Sequence, residues 1–201
     1  MEARELGRSG LEGRTTVADL KGIRLAILAT DGVEQSELTE PRKFLEQQGV
    51  QTTLLTPKAA QIQAVQHMDK ADKIPAQGAI EGAKAAEYDA VLLPGGALNA
   101  DKLRMNEEAR RFVREMDQAK KPFAVICHAP WLLVSAGLVK GRHMTSYYTI
   151  QDDLRNAGAD WKDQEVVRDG NWVTSRQPSD IPAFNRAVAE LFGSMRSQRA
   201  A

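Results

Sequence analysis

The chain of 201 residues is 42% hydrophobic and 27% charged, which is the composition of a soluble globular protein with one substantial core. Its 27 Lys and Arg residues balance 27 Asp and Glu residues, so we expect no nucleic-acid partner and no anionic membrane surface as partner. No apolar run approaches the roughly 20 residues that cross a bilayer, and the N-terminus contains no apolar leader. One cysteine cannot form an internal disulfide, so the expected location is cytoplasmic. Three scattered histidines predict no metal site, and we expect no other cofactor.

The first half of the chain alternates between apolar runs and helical patterns. Ser36 is predicted to cap the first helix and Gly49 to end it. The predicted elements are a flexible arm at 1–20, a strand at 23–29, a helix at 36–48, strands at 50–56 and 62–67, a short helix at 79–86, and a strand at 90–93.

The second half continues the alternation, which is typical of an α/β fold with a mostly parallel sheet and helices on both faces. We expect a single domain over 21–195. The predicted elements are a helix at 106–120, a strand at 123–126, helices at 131–136 and 150–156, a hairpin at 166–174, a helix at 181–195, and a tail at 196–201.

The single cysteine, Cys127, lies between a predicted strand and a helix that Pro130 opens. A side chain at such a turn is held at the end of a sheet, exposed, and beside unpaired N–H groups that favour a thiolate. The position predicts a nucleophile with a lowered pKa. The alternative is a small buried hydrophobe that only fills the core.

Two other strand ends carry chemistry that would meet Cys127 at the same edge of a parallel sheet. Glu34 and Glu37 follow the first strand, and a carboxyl group facing the thiol could exchange a proton with it. Glu37 could instead only favour its helix dipole. Gly95 and Gly96 begin a loop after another strand, and they indicate either a turn or backbone N–H groups that hold an oxyanion.

His128 directly follows Cys127, so its ring is expected to point away from the thiol unless the turn is sharp. An isolated histidine of this kind is more often structural than catalytic.

These blocks together resemble the PfpI (protease I) family of intracellular cysteine hydrolases, within the class I glutamine-amidotransferase-like superfamily. The resemblance covers about residues 22–193. The blocks that carry it are Thr30-Asp31-Gly32-Val33-Glu34-Gln35-Ser36-Glu37, Leu92-Leu93-Pro94-Gly95-Gly96, Ala124-Val125-Ile126-Cys127-His128-Ala129-Pro130 and Asp169-Gly170-Asn171-Trp172-Val173-Thr174-Ser175-Arg176.

The resemblance implies a flavodoxin-like three-layer sandwich with a strained nucleophile elbow at Cys127. It implies that Glu37 faces the cysteine, with Glu34 beside it, and that Gly96 and the N–H of His128 form an oxyanion hole. Gly95 and Tyr147 would line the pocket.

In protease-like members the matching histidine pairs with a glutamate of a neighbouring subunit, which implies a homo-oligomer, either a dimer or a hexamer. Asp101 is the nearest match to that glutamate, one methylene shorter, in a segment with one extra residue. The late histidine and glutamate of amidotransferases are missing, so glutamine amide transfer is not expected.

The resemblance implies a stress-protective hydrolase in which the thiol adds to a carbonyl of a small molecule or peptide. The candidate activities are peptide hydrolysis, deglycation of dicarbonyl adducts and glyoxalase-type turnover. The alternatives are a redox sensor that works through oxidation of Cys127 and a chaperone-like binding protein.

Overall fold

The architecture is taken from a computed structural model that describes the backbone of residues 20–200 and the side chains of residues 20–195. Within those residues the strands are β1 (Arg24–Leu28), β2 (Gln51–Thr56), β3 (Ile62–Gln66), β4 (Asp69–Ile74), β5 (Gly78–Ala79), β6 (Ala90–Leu93), β7 (Phe123–Ile126), β8 (His143–Met144), β9 (Asp160–Trp161), β10 (Val166–Asp169) and β11 (Trp172–Ser175). The helices are α1 (Gln35–Glu46), α2 (Ala97–Met105), α3 (Glu107–Gln118), α4 (Pro130–Ala136), α5 (Gln151–Asn156) and α6 (Ile181–Ala200).

Seven strands form one sheet in the order β10-β11-β7-β6-β1-β2-β5. Its strands pair in parallel except β10, which is antiparallel to β11 in the predicted hairpin. The central strands read as unbroken apolar runs because both of their faces are covered. Two short ribbons, β3–β4 and β8–β9, lie outside this sheet.

Helices cover both faces, each over its own apolar cluster. Alternate residues of β1 point to opposite clusters, Leu28 into one and Ile27 into the other. The first cluster contains buried side chains of α2, α3, α4 and α5, and the second contains those of α1 and α6. The fold is therefore a flavodoxin-like α/β sandwich, as the sequence predicts.

Several predicted boundaries differ from the structure. Helix α1 begins at Gln35, so the N-cap residue is Glu34 and not Ser36, and the Glu34 side chain makes no capping hydrogen bond. The N–H of Glu34 donates to the Gly95 carbonyl instead. The helix predicted at 79–86 is wrong: Gly78–Ala79 pairs with β2, and only Ala85–Glu87 forms a 3-10 turn. The segment after Gly96, expected as a loop, is helix α2.

The predicted ends of the chain are only partly described. Residues 1–19 of the predicted arm lie outside the described residues, whereas Leu20 is fully buried in the second cluster. Helix α6 continues to Ala200, so the backbone of 196–200, predicted as a tail, is helical. Between residues 20 and 200, no helix has the length and apolarity needed to cross a membrane.

Candidate active site

The sheet order brings the three chemistry-bearing strand ends together. Strand β6 pairs with β1 on one side and with β7 on the other, all in parallel. The carboxyl ends of the three strands therefore lie side by side. The Gly95-Gly96 pair after β6 stands between Glu37 in the first turn of α1 and Cys127 after β7.

Cys127 lies at a strained elbow. Its φ of +64° falls in the left-handed region, which non-glycine residues rarely occupy. Two backbone hydrogen bonds hold this conformation: the Cys127 N–H donates to the Ser175 carbonyl at 3.1 Å, and the Tyr147 N–H donates to the Cys127 carbonyl at 2.9 Å. The residue is 6% exposed, so the expectation of an exposed thiol is wrong. Such strain is typical of functional turns.

Glu37 is a fully buried acid next to that thiol. Its Oε2 accepts a hydrogen bond from the Gly95 N–H at 2.9 Å, and its Oε1 has no hydrogen-bond partner among the described residues. Burial raises the pKa of Glu37 to about 8, with repulsion from Glu34 adding to the rise and hydrogen bonding to Cys127 opposing it. Glu37 therefore holds its proton at neutral pH, chiefly because burial disfavours its charged form.

The pKa of the Cys127 thiol is raised well above its ordinary value, first by burial and then by the charge that Glu37 carries once it ionises. The backbone N–H groups of Gly96 and His128 act in the opposite direction because they hydrogen-bond to the sulfur. The predicted lowering of this pKa is therefore wrong for the resting site. Burial of the thiol, together with the neighbouring Glu37, outweighs the effect of the N–H groups at the elbow.

His128 contacts the thiol, contrary to the expected orientation. The sharp turn at Cys127 brings Nδ1 of His128 to 3.1 Å from Sγ. Its Nε2 lies 3.3 Å from the Thr149 hydroxyl, a contact that nothing in the sequence spacing indicates. Burial lowers the pKa of the half-buried His128, so the ring is neutral at neutral pH. A neutral imidazole beside a thiol can accept its proton.

Gly95 and Gly96 are required as glycines because neighbouring atoms approach both of them too closely for a side chain. A Cβ on Gly95 would overlap Oε2 of Glu37 and lie 2.5 Å from the Cβ of Cys127. Gly96 has a φ of +88°, and a Cβ there would overlap the Gly32 carbonyl oxygen. These glycines allow the Gly96 N–H to approach the sulfur, which is the placement expected of an oxyanion-hole donor.

The buried Asn99 in α2 fixes the loop that carries the glycines. Its amide group donates to the carbonyls of Pro94 and Gly95 at 3.0 and 2.9 Å, and its oxygen accepts the Thr30 N–H at 2.8 Å. Asn99 therefore ties the ends of β1 and β6 together. The sequence places it near the site but does not indicate this role.

Glu34, expected beside Glu37 at the reactive site, forms its hydrogen bonds with groups outside that site. Its Oε2 accepts the His67 N–H at 2.9 Å, and Oε1 accepts a long hydrogen bond of 3.5 Å from the Ser36 hydroxyl. Glu34 thus fixes the β3–β4 ribbon to α1, and it acts on the site only through its charge on Glu37.

Asp101 is exposed on α2, and the hydrogen bonds that the structure gives His128 go to Cys127 and Thr149. Tyr147 does lie at the pocket, with its ring 4.7 Å from that of His128. Among residues 20–195, no cluster of three or more His, Cys, Asp or Glu side chains could hold a metal ion.

Two cavities lie elsewhere. One of about 350 Å³ lies beyond Glu34 against His67 and Pro178, and one of about 150 Å³ lies at the amino ends of the strands, near Ile23 and Phe192. Neither is lined by Cys127, so cavity size does not locate the reactive group.

With this geometry in place, comparison with known families is decisive. The family model described as the DJ-1/PfpI family matches residues 23–191. The chain belongs to the DJ-1/PfpI family. This result confirms the resemblance that the sequence blocks indicate.

Relatives within the DJ-1/PfpI family match nearly their full length. A deglycase of Pyrococcus abyssi is 39% identical over 169 residues, covering 84% of this chain and 99% of the relative. Protein/nucleic acid deglycase 2 of Escherichia coli is 38% identical over 85% of this chain and 98% of its own. A Bacillus subtilis protein provisionally named a cysteine protease is 39% identical over 84% and 97%. These names support a DJ-1/PfpI-type, hydrolase-like function.

Solved structures show the same fold. A two-domain protein of Anabaena variabilis, with DJ-1/ThiJ/PfpI-like and ferritin-like domains, has a TM-score of 0.80 and 34% identity over 85% of this chain. This chain spans 48% of that protein's length. DJ-1beta of Drosophila melanogaster has a TM-score of 0.77 and 24% identity, covering 88% of this chain and 94% of its own.

Proposed function

We propose that this DJ-1/PfpI-family protein is a cysteine-dependent hydrolase that removes dicarbonyl-derived groups from amines. The observation that carries the proposal is the position of the Cys127 sulfur. It lies 3.1 Å from the neutral imidazole of His128 and beside the buried acid Glu37, at a strained elbow. The deglycase names of the relatives support the substrate class.

In the first step, Sγ of Cys127 attacks the carbonyl carbon of the substrate. The C–S bond forms, the π pair moves to the carbonyl oxygen, and the thiol proton moves to Nδ1 of His128, which is already at hydrogen-bonding distance. The N–H groups of Gly96 and His128, which act on the sulfur in the resting site, hold the developing oxyanion. Because the thiol is neutral at rest, proton removal accompanies the attack.

Glu37 supplies the second proton. It keeps its proton at neutral pH because burial raises its pKa to about 8. When the C–N bond of the adduct breaks, the amine leaves with that proton. The hydroxyl group on the carbon that carried the amine reprotonates Glu37 as that carbon becomes an aldehyde. Water adds to the aldehyde, and a hydride moves from this carbon to the neighbouring one as the C–S bond breaks. The fragment then leaves as a hydroxy acid, and the imidazolium of His128 returns its proton to the sulfur.

The test is release of free amine from methylglyoxal-treated N-acetyl-lysine, with a fluorogenic peptide as the competing substrate. We expect wild-type protein to act on the adduct and Cys127→Ser to lose turnover to the uncatalysed rate. Cleavage of the peptide with no action on the adduct would instead assign a peptidase. Equal turnover by Cys127→Ser would remove the proposal, and loss of all thiol reactivity with intact folding would favour a binding protein.

A further inference from the structure

We propose that the hydroxyl group of Thr149 is a positioning residue for His128: it accepts the Nε2–H of the ring and so leaves the Nδ1 lone pair facing the Cys127 thiol. This inference rests on the proposed function, because it assigns the proton acceptor of that reaction. It adds a residue that lies 21 positions away from His128 in the sequence.

The ring of His128 is held at three points. Nδ1 lies 3.1 Å from Sγ of Cys127, and Nε2 lies 3.3 Å from Oγ1 of Thr149. One ring face packs toward Tyr147, with the centroids 4.7 Å apart, and Trp131 lies at 5.6 Å. These tilted ring contacts restrict the ring plane, and the different partners of Nδ1 and Nε2 distinguish the two nitrogens.

The position of the proton follows from the two contacts. A neutral imidazole carries one N–H, and Nδ1 can accept the thiol proton only if that N–H is on Nε2. Thr149 is exposed, so its own hydroxyl proton can turn toward solvent while Oγ1 accepts from Nε2. The same bond persists after the thiol proton reaches Nδ1, because the imidazolium keeps its Nε2–H.

The turn that carries Thr149 is attached to the elbow itself. Thr149 lies in the 3-10 turn Tyr148–Ile150. The side chain of Ile150 is only 1% exposed, so its burial anchors this turn to the core. Just before this turn, the Tyr147 N–H donates to the Cys127 carbonyl at 2.9 Å. The hydroxyl therefore keeps its place relative to the sulfur when the pocket is empty.

The experiment compares Thr149→Val, which keeps the shape and loses the hydroxyl, with Thr149→Ser, which keeps the hydroxyl. Thr39→Val is the matched control, since Thr39 is also exposed and its hydroxyl donates to the Gln35 carbonyl at 2.9 Å. The first readout is the long-range ¹H–¹⁵N spectrum of the imidazoles. The chain has 3 histidines, and His128→Gln identifies the signals of interest.

We expect the His128 signals to be those of the Nε2–H tautomer in the wild type and in Thr149→Ser, and of a tautomer mixture in Thr149→Val. Turnover of the adduct by Thr149→Val should fall about 2- to 10-fold in kcat, with KM little changed, as befits one neutral hydrogen bond. Thr149→Ser should restore most of that loss, and Thr39→Val should match the wild type in both readouts.

The inference is overturned if Thr149→Val leaves the spectrum unchanged, or if Asp101→Asn shifts the Nε2 signal while Thr149→Val does not. The second result would mean that the Asp101 carboxylate, and not the Thr149 hydroxyl, accepts the Nε2–H of His128. The spectrum needs no turnover, so the two proposals fail separately. A wild type without activity removes the hydrolase, whereas unchanged imidazole signals in an active enzyme remove only the role of Thr149.

Discussion

The N–H of Gly95 donates a hydrogen bond to Oε2 of Glu37 at 2.9 Å, across 58 positions of the sequence. This bond joins the first turn of α1 to the end of β6. The other carboxyl oxygen, Oε1, has no hydrogen-bond partner within residues 20–195. A buried carboxyl group with one satisfied oxygen keeps its proton, because ionisation would leave a charge out of contact with water. The proposed reaction depends on this acid.

The first prediction concerns that acid directly. Glu37→Gln keeps the shape and the acceptor for the Gly95 N–H but cannot release a proton. Loss of a proton-transfer group typically lowers the rate about 10²- to 10⁴-fold, so we expect turnover of the adduct to fall in that range. Glu40→Gln, an exposed change on the same helix, is the control and should keep wild-type turnover. Full activity of Glu37→Gln would mean that Glu37 takes no part in the reaction and only stabilises the dipole of its helix.

The second prediction concerns stability and pH. The pKa of Glu37 is about 8 in the folded protein against 4.5 for the unperturbed group. Between these values the folded state keeps a proton that the unfolded state has released. Stability contributed by the protonated acid is therefore present below pH 4.5 and is lost as pH rises toward 8. The expected slope is about 1.4 kcal/mol per pH unit for a single group.

This slope is read from urea unfolding at intervals from pH 5 to 9, as the difference between wild type and Glu37→Gln. The free energy of unfolding of the variant minus that of the wild type should increase as pH rises from 5 to 8, and it should level off above pH 8. A difference that does not vary with pH would mean that Glu37 is already ionised in the folded protein.

The third prediction concerns the glycine pair. Gly96→Ala places a Cβ against the Gly32 carbonyl and 2.7 Å from the Glu34 nitrogen, in addition to its φ of +88°. Gly82→Ala is the matched control, since Gly82 has a φ of +74° but nothing within 4 Å of its Cβ position. The left-handed conformation alone costs roughly 1–2 kcal/mol, so the control should lose about that much.

Gly96→Ala should lose clearly more free energy of unfolding than Gly82→Ala, and its turnover should fall because the N–H that faces the sulfur is displaced. Equal losses in the two variants, measured by thermal melting, would show that the loop can relax around the new methyl group and that the close packing at Gly96 is not required.

The fourth prediction concerns assembly. If Asp101 of one subunit completes the site of another, the protein is at least a dimer, and light scattering gives twice the chain mass of 22.1 kDa or more. Because Thr149 occupies Nε2 of His128, we expect Asp101→Asn to keep most of its turnover. If Asp101→Asn is instead inactive, a mixture with Cys127→Ser chains should recover activity after subunit exchange, because mixed dimers then contain one intact site. A single-chain mass at micromolar concentration would exclude a shared site.

Much of the fold is predictable because strands that are buried on both faces of the sheet appear in the sequence as short, unbroken apolar runs. The strands at 90–93 and 123–126 are short apolar runs whose bounds the sequence gives correctly. Helix α2 is missed because it begins directly after Gly96 with a weak apolar pattern. Strand β4 is missed because its Asp-Lys pattern lies on an exposed ribbon that needs no apolar face.

Local patterns also single out Cys127 and Glu37 as the candidate nucleophile and acid, but they do not predict the protonation of either group. Proximity to a helix start suggests a lowered pKa for Cys127, whereas burial and Glu37 raise it, and burial depends on the whole fold. The orientation of His128 follows from the φ of +64° at Cys127, which no residue pattern fixes. Thr149 reaches His128 only through the tertiary path of the turn before α5.

The central claim is that the Cys127 sulfur is the group that attacks substrate. Because it is the sole cysteine of the chain, alkylation by iodoacetamide and peptide mass spectrometry report on this one thiol. The measurement is residual turnover of the methylglyoxal adduct against the alkylated fraction, with and without adduct present during alkylation. We predict that activity falls in direct proportion to the modified fraction, reaches zero at full modification, and is protected by the adduct. Turnover that persists in fully alkylated, folded protein would contradict the account.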